Sequence, residues 1–130
     1  MDQGENTAPQ QGTQKIATSQ AVSYSMSQGL VGWLARMNVS IAMSSYQSGR
    51  FYLIGRNPNG GLLVDERVFG QAMGIAVDAN RIFLATKTAL IEMSSALQEG
   101  QRANNLYDAC YTPRRVHLTG ALDTHDVGLD

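Results

Sequence analysis

The sequence predicts an all-β fold of β-propeller-like blades preceded by a short helix, and two observations carry that prediction. First, RFYLIGR (Arg50–Arg56) and RIFLATK (Arg81–Lys87) are apolar on both faces, with Phe51 and Leu53 on one side of the former and Tyr52 and Ile54 on the other. A strand apolar on both sides sits between two layers. Second, small and apolar residues alternate in three stretches: SIAMSS (Ser40–Ser45), GIAVDA (Gly74–Ala79) and DVGLD (Asp126–Asp130). Repeats of roughly 40–50 residues, each with several short strands, mark propeller blades, which bury their faces only against neighbours. Ile41 and Ile75 lie 34 residues apart and Asp78 and Asp130 lie 52 apart, the longer interval holding a polar loop. A single antiparallel sandwich is the plainer alternative.

Residues 1–27 are rich in Gln, Ser, Thr and Ala and poor in large apolar residues. Such a segment cannot bury enough surface to offset its ordering entropy, so it reads as a disordered tail. Residues 28–38 read as a short amphipathic helix. Ser27 is the expected cap, and Leu30, Val31, Leu34 and Met37 recur at helical spacing beside Trp33. Gly29 and Gly32 weaken that helix.

Residues 39–130 read as a partial propeller, with blades near 39–70 and 71–122 and the first strand of a third at 125–130. In the first blade, VSIAMSSY (Val39–Tyr46) places Val39, Ile41 and Met43 on one face. Gln47-Ser48-Gly49 turns the chain into RFYLIGR, and Asn57-Pro58-Asn59-Gly60-Gly61 turns it into LLVDERVF, whose Asp65, Glu66 and Arg67 suggest a solvated outer strand. In the second blade, an inner strand spans Gly74–Val77, a two-faced strand Arg81–Thr86 and a third strand Ala89–Met93. Ser94–Leu106 is a polar loop with room for one helical turn. YDACY (Tyr107–Tyr111) and RRVHL (Arg114–Leu118) read as two strands broken at Pro113, and TGALDT turns the chain into HDVGLD. A propeller closes with about 4–8 blades, so the chain reads as a fragment of a longer one. An open blade edge would invite self-association.

Formal net charge is -1 and the isoelectric point about 6.1, which gives no general attraction to nucleic acid or to an anionic membrane. Cys110 is the single cysteine, so no intrachain disulfide forms. No basic region followed by an apolar run opens the chain, and no segment approaches the roughly 20 apolar residues of a membrane helix. The expectation is a cytoplasmic protein, in which the Asn38-Val39-Ser40 sequon is a chance match.

WLARMNVSIAMSSYQSGRFYLIGRNPNGGLLVDERVFGQAMGIAVDANRIFLATKTALIEM, followed by YDACYTPRRVHLTGALDTHDVGLD, resembles the N-terminal part of the bacterial DUF4915 family, a group of conserved hypothetical proteins with a propeller-like pattern. The similarity runs from about Trp33 to Asp130. Its most specific pieces are SYQSGRFYLIG, the Pro113-Arg114 pair and TGALDTHDV. Members carry a more hydrophobic residue where this chain has Thr112. The resemblance implies a fold and a longer full protein, and it implies no reaction.

The densest polar cluster is HLTGALDTHD. His117, Asp123, His125 and Asp126 offer imidazole and carboxylate ligands for a divalent metal, and Asp123 and His125 share a face if extended. A lactonase-like, metal-dependent hydrolase with a channel site completed by further blades is therefore one reading. The same residues also make a good turn that bonds its own backbone, and no HExxH, paired CxxC or EF-hand loop is present. Tyr46, Gln47 and Arg50 stand at a tight turn, where they line a ligand mouth or decorate a solvated hairpin. Arg114 and Arg115 suit a carboxylate or phosphate, or an ordinary solvated pair. Cys110 reads as buried and inert, with a Cys/His nucleophile pair as the remote alternative. Gly60-Gly61 lacks the Lys-Ser/Thr of a phosphate loop. The expected function is thus a propeller-type scaffold that binds a small molecule or a protein, without a cofactor. Its candidate residues are His125, Asp126, Asp123, Arg114 and Tyr46, with His125 and Asp126 as the metal candidates in the hydrolase reading. Docking through the tail and the Trp33 helix is a third reading.

Overall fold

The structure, a computed structural model, describes residues 23–130. The tail expected over 1–27 lies outside the described residues as far as residue 22; residues 23–27 carry no helix or strand. Helix α1 spans Leu30–Met37. Ser27 does not cap it with its side chain. Gly29 is the N-cap, and Ser27 contributes only its carbonyl, which accepts from the Leu30 N–H at 3.2 Å. Asn38 ends the helix in the left-handed region, a conformation Asn tolerates. Of the apolar stripe only Leu34 is fully buried, while Trp33 and Met37 stay exposed.

The remainder is mostly β. The first sheet has the order β1 (Ile41–Ser45), β2 (Arg50–Arg56), β3 (Leu62–Val68), all antiparallel. Between β2 and β3 the Asn57 side chain accepts from the Asn59 N–H at 2.9 Å, and Gly60 and Gly61 follow at φ 99° and 89°. Only glycine takes such angles without strain, which fixes this turn. The second sheet has the order β4 (Ile75–Asp78), β5 (Arg81–Ala85), β6 (Ala89–Ser95), β7 (Tyr111–Leu118), again antiparallel.

Four local expectations are corrected. YDACY is not a strand: Tyr107 makes an isolated bridge to Ala103, and Ser94–Leu106 contains turns but no helical turn. Pro113 does not break the chain. β7 is an edge strand, where a missing N–H costs little, and a register shift opposite Glu92/Met93 takes up Arg114 as the extra residue. HDVGLD carries no strand, since no strand among the described residues pairs with it; it lies instead across Gly74.

The two sheets stack face to face. Phe51, Ala72, Ile82, Leu84, Ile91 and Met93 form the buried core between them, with Ala42, Leu53 and Tyr111 at its margin. β1 therefore turns Ala42 and Ser44 towards the second sheet, and the face that carries Val39, Ile41 and Met43 is the more exposed one. Small residues allow the close approach at which the Ser44 hydroxyl donates to the Met73 carbonyl. β5 is buried on both sides, as its composition predicts: Ile82 and Leu84 enter the core, while Phe83 and Ala85 are buried on the opposite face. On that second face Glu92 pairs in register with Phe83 and is itself buried. Arg115 meets its carboxylate at 3.2 Å and Arg81 at 3.8 Å, which compensates the charge, and the Arg81 guanidinium stands 5.3 Å from the Phe83 ring centre.

The first strands of the two sheets, β1 and β4, run in opposite senses. The end of β1 meets the approach to β4 through Ser44 and Met73. The start of β1, at Ser40, shares a cleft with the loop 102–110, and that loop belongs to the end where β4 finishes, since the Ser95 N–H donates to the Asn80 carbonyl.

The outward face of the first sheet is met by the segment before α1. The Tyr24 ring packs edge-on against Tyr52 at 6.1 Å, and its hydroxyl donates to Glu66, which also pairs with Arg50. That hydrogen bond, with partial desolvation and the negative charge of Glu66, pushes the Tyr24 phenol up to about 12. A raised phenol favours the folded state below the ordinary tyrosine range near pH 10, and the contribution is lost as pH rises through about 12. Glu66→Ala is expected to return Tyr24 towards the ordinary range, read by NMR titration of ring-labelled tyrosine. An unmoved Tyr24 titration would show that the bond is not formed.

Candidate functional site

Two places gather functional side chains. The larger is a cleft of about 770 Å³ between the sheets, at the end where β1 begins. Leu53 and Leu63 give it an apolar wall, and the loop 102–110 closes the other side with Tyr107 and Cys110. Alternation along β3 puts Leu63, Asp65 and Arg67 on one face of the strand. Arg67 is held there by Asp65 at 2.8 Å and donates to the Tyr111 carbonyl, so it ties β3 to the start of β7. The loop is pinned at both ends: the Ala96 N–H donates to the Cys110 carbonyl at 2.8 Å and the Cys110 N–H to Ser95 Oγ at 3.2 Å. Its tip turns through Asn104 and Asn105 at φ 52° and 55°, which leaves Arg102 exposed at the cleft. Three arginines, Arg56, Arg67 and Arg102, line the cleft with two carboxylates, Asp65 and Asp108. The excess positive charge and the apolar wall together suit a small anionic molecule.

The second place holds two of the residues singled out from sequence. Tyr46 and His125 come together with ring centres 6.3 Å apart, and Gln71 Nε2 donates to the Tyr46 hydroxyl at 3.1 Å. Asp126 accepts from the adjacent Val127 N–H at 2.8 Å. Asp123 is exposed at φ 48°. His117 lies exposed on β7 opposite Leu90. Arg114 stands apart on the same strand, bonded to Ser94 Oγ at 3.2 Å, and Arg115 is engaged with Glu92. Among the described residues no group of three or more His, Cys, Asp or Glu side chains is placed to hold a metal ion. Cys110 is half-buried in the loop rather than in a strand.

Of the cleft residues only Cys110 was weighed from sequence, and as an inert thiol. Asp65 and Arg67 read there as solvated charges. The signal that marks them is their spacing of two, which puts both charges on the Leu63 face of a strand at the inter-sheet cleft.

No helix among the described residues is long and apolar enough to cross a membrane. No curated protein and no solved structure matches the chain. A family model for a domain of unknown function, DUF4915, matches residues 28–130, which include every helix and strand described above, and the chain belongs to that family.

Proposed function

We propose that the chain is a propeller-type binding scaffold whose blades are the two stacked sheets, and that the cleft between them holds a small anionic molecule. The observation that carries the reading is the 770 Å³ cleft with three arginines against two carboxylates, a volume in the range of small-molecule sites. The burial of β5 on both faces supports the stacking of blades. Arg67 is already held in place by Asp65 and Tyr111, so binding costs little ordering of that side chain.

Thermal unfolding with citrate, inorganic pyrophosphate and benzoate tests the reading. At least one is expected to raise Tm; a stabilisation of about 1 kcal/mol corresponds to roughly 4 °C in a domain of this size. The rise is expected to vanish in Arg102→Ala and in Leu63→Trp, which fills the cleft, and to persist in His125→Ala. A rise lost only in His125→Ala moves the site to the Tyr46–His125 contact, and no rise with any probe removes the anion.

A further inference from the structure

Among the described residues the first sheet has three strands and the second has four. Matched by order alone, β1 corresponds to β4, since each opens its sheet. Direction gives a different match, because β1 and β4 run oppositely while β1 and β5 run alike. With β1 matched to β5, β2 matches β6 and β3 matches β7. The chain then leaves β3 through residues 69–74 for β4 as it leaves β7 through 119–125 for DVGLD, which repeats the pattern of IAVD. The starts of β1 and β5, Ile41 and Arg81, lie 40 residues apart, within the usual blade period. What has no counterpart is β4 itself: among the described residues nothing pairs with β1 where β4 pairs with β5.

Two further observations agree. Val77 shares its sheet face with Ile82 and Met93, which are buried in the inter-sheet core, yet Val77 is 59% exposed. It is bare where a strand beside β1 would cover it. Of the other three edges, β3 carries Asp65, Glu66 and Arg67, β7 carries Pro113, a bulge and two arginines, and β4 carries a single charge, Asp78, paired with Arg81. β1, IAMSS, has neither charge nor proline, and among the described residues its outer backbone groups have no strand partner, which leaves that edge open to pairing.

We propose that the free edge of β1 is a docking site for an extended peptide strand of the small–apolar type seen in Ile75–Asp78, added antiparallel to β1 with an apolar side chain over Val77. This rests on the stacked-blade reading above and names a partner surface distinct from the cleft. Backbone hydrogen bonds supply affinity in such strand addition, and the alternating side chains supply selectivity.

The test adds a fluorescein-labelled peptide of sequence MGIAVDAN, that of Met73–Asn80, to the full chain. Saturable binding is expected, with slowed hydrogen exchange at the Ile41–Ser45 amides and no binding of a scrambled peptide. Val77→Asp, at an exposed position, is expected to weaken binding at least tenfold while leaving the free chain folded. Absence of binding, or slowed exchange at β3, β4 or β7 instead, overturns the proposal. Self-association that protects β1 without peptide also overturns it, by giving the edge to a second copy. Exchange in the free chain separates the two readings: if β5 amides exchange slowest and the peptide still fails to bind, the edge proposal falls alone; if β5 exchanges fast, the stacked blades fall with it.

Discussion

Phe51→Ala is expected to lower the unfolding free energy by about 3–5 kcal/mol, the range for removing a fully buried aromatic side chain. Phe51 has no exposed surface, and its ring meets Phe69 edge-on at 6.2 Å and 78°. It stands on the side of β2 that enters the inter-sheet core with Ile82, Leu84, Ile91 and Met93. Truncation therefore removes transfer energy and leaves a cavity between two sheets that share few other large side chains from the first sheet. Domains are stable by about 5–15 kcal/mol, so the loss is a large share of the whole. Urea unfolding followed through Trp33 fluorescence measures it. Met43→Ala serves as the contrast, because Met43 points away from the core and is 46% exposed; its cost is expected within about 0.5 kcal/mol. Equal costs for the two would show that the sheets do not pack through Phe51.

The same pair of residues shows how far the sequence could be read. The two-faced character of RFYLIGR and RIFLATK was legible because burial on both sides removes the alternation that a half-solvated strand must show, and the turns were legible because Asn57 and Gly60-Gly61 have few other conformations open to them. The face of β1 was not. Ile41 and Met43 are larger than Ala42 and Ser44, and the usual rule puts the larger residues inside; here the close approach at Met73 leaves room only for the small ones. Pro113 was misread as a break because its tolerance depends on β7 being an edge, a property of the sheet order and not of the local residues. The site divides in the same way. Tyr46 and His125, 79 positions apart, were each noticed alone, but nothing local says that they meet. The cleft depends on where the loop 102–110 lands, which is decided by its pinning to Ser95 and Ala96.

Gly74→Ala is expected to lift the chain at His125–Asp126 off the second sheet, at a cost of about 1–3 kcal/mol from overpacking. An added Cβ at Gly74 would stand 2.7 Å from Asp126 Cα, 2.9 Å from its carbonyl carbon and 3.0 Å from the His125 oxygen. All three are backbone atoms, so no side chain can rotate away. Gly74 cannot retreat either, because its carbonyl accepts from the Ala85 N–H at 2.8 Å and the neighbouring Met73 N–H donates to Ala85 at 2.9 Å. The element free to move is the segment that crosses Gly74, which has no strand partner of its own. The expected result is faster hydrogen exchange at 124–128 and loss of the cross-peak between the Tyr46 and His125 rings, while β5 and β6 amides keep their protection. Gly70→Ala is the control: nothing lies within 4 Å of its added Cβ, so it should leave both exchange and stability unchanged. If Gly74→Ala behaves like that control, the segment does not rest on the sheet, and the Tyr46–His125 contact loses its support. If it behaves as expected, Gly74 is glycine because another backbone passes over it. The alternation of small and apolar residues in GIAVDA then records where a neighbouring chain segment approaches as much as which side is buried.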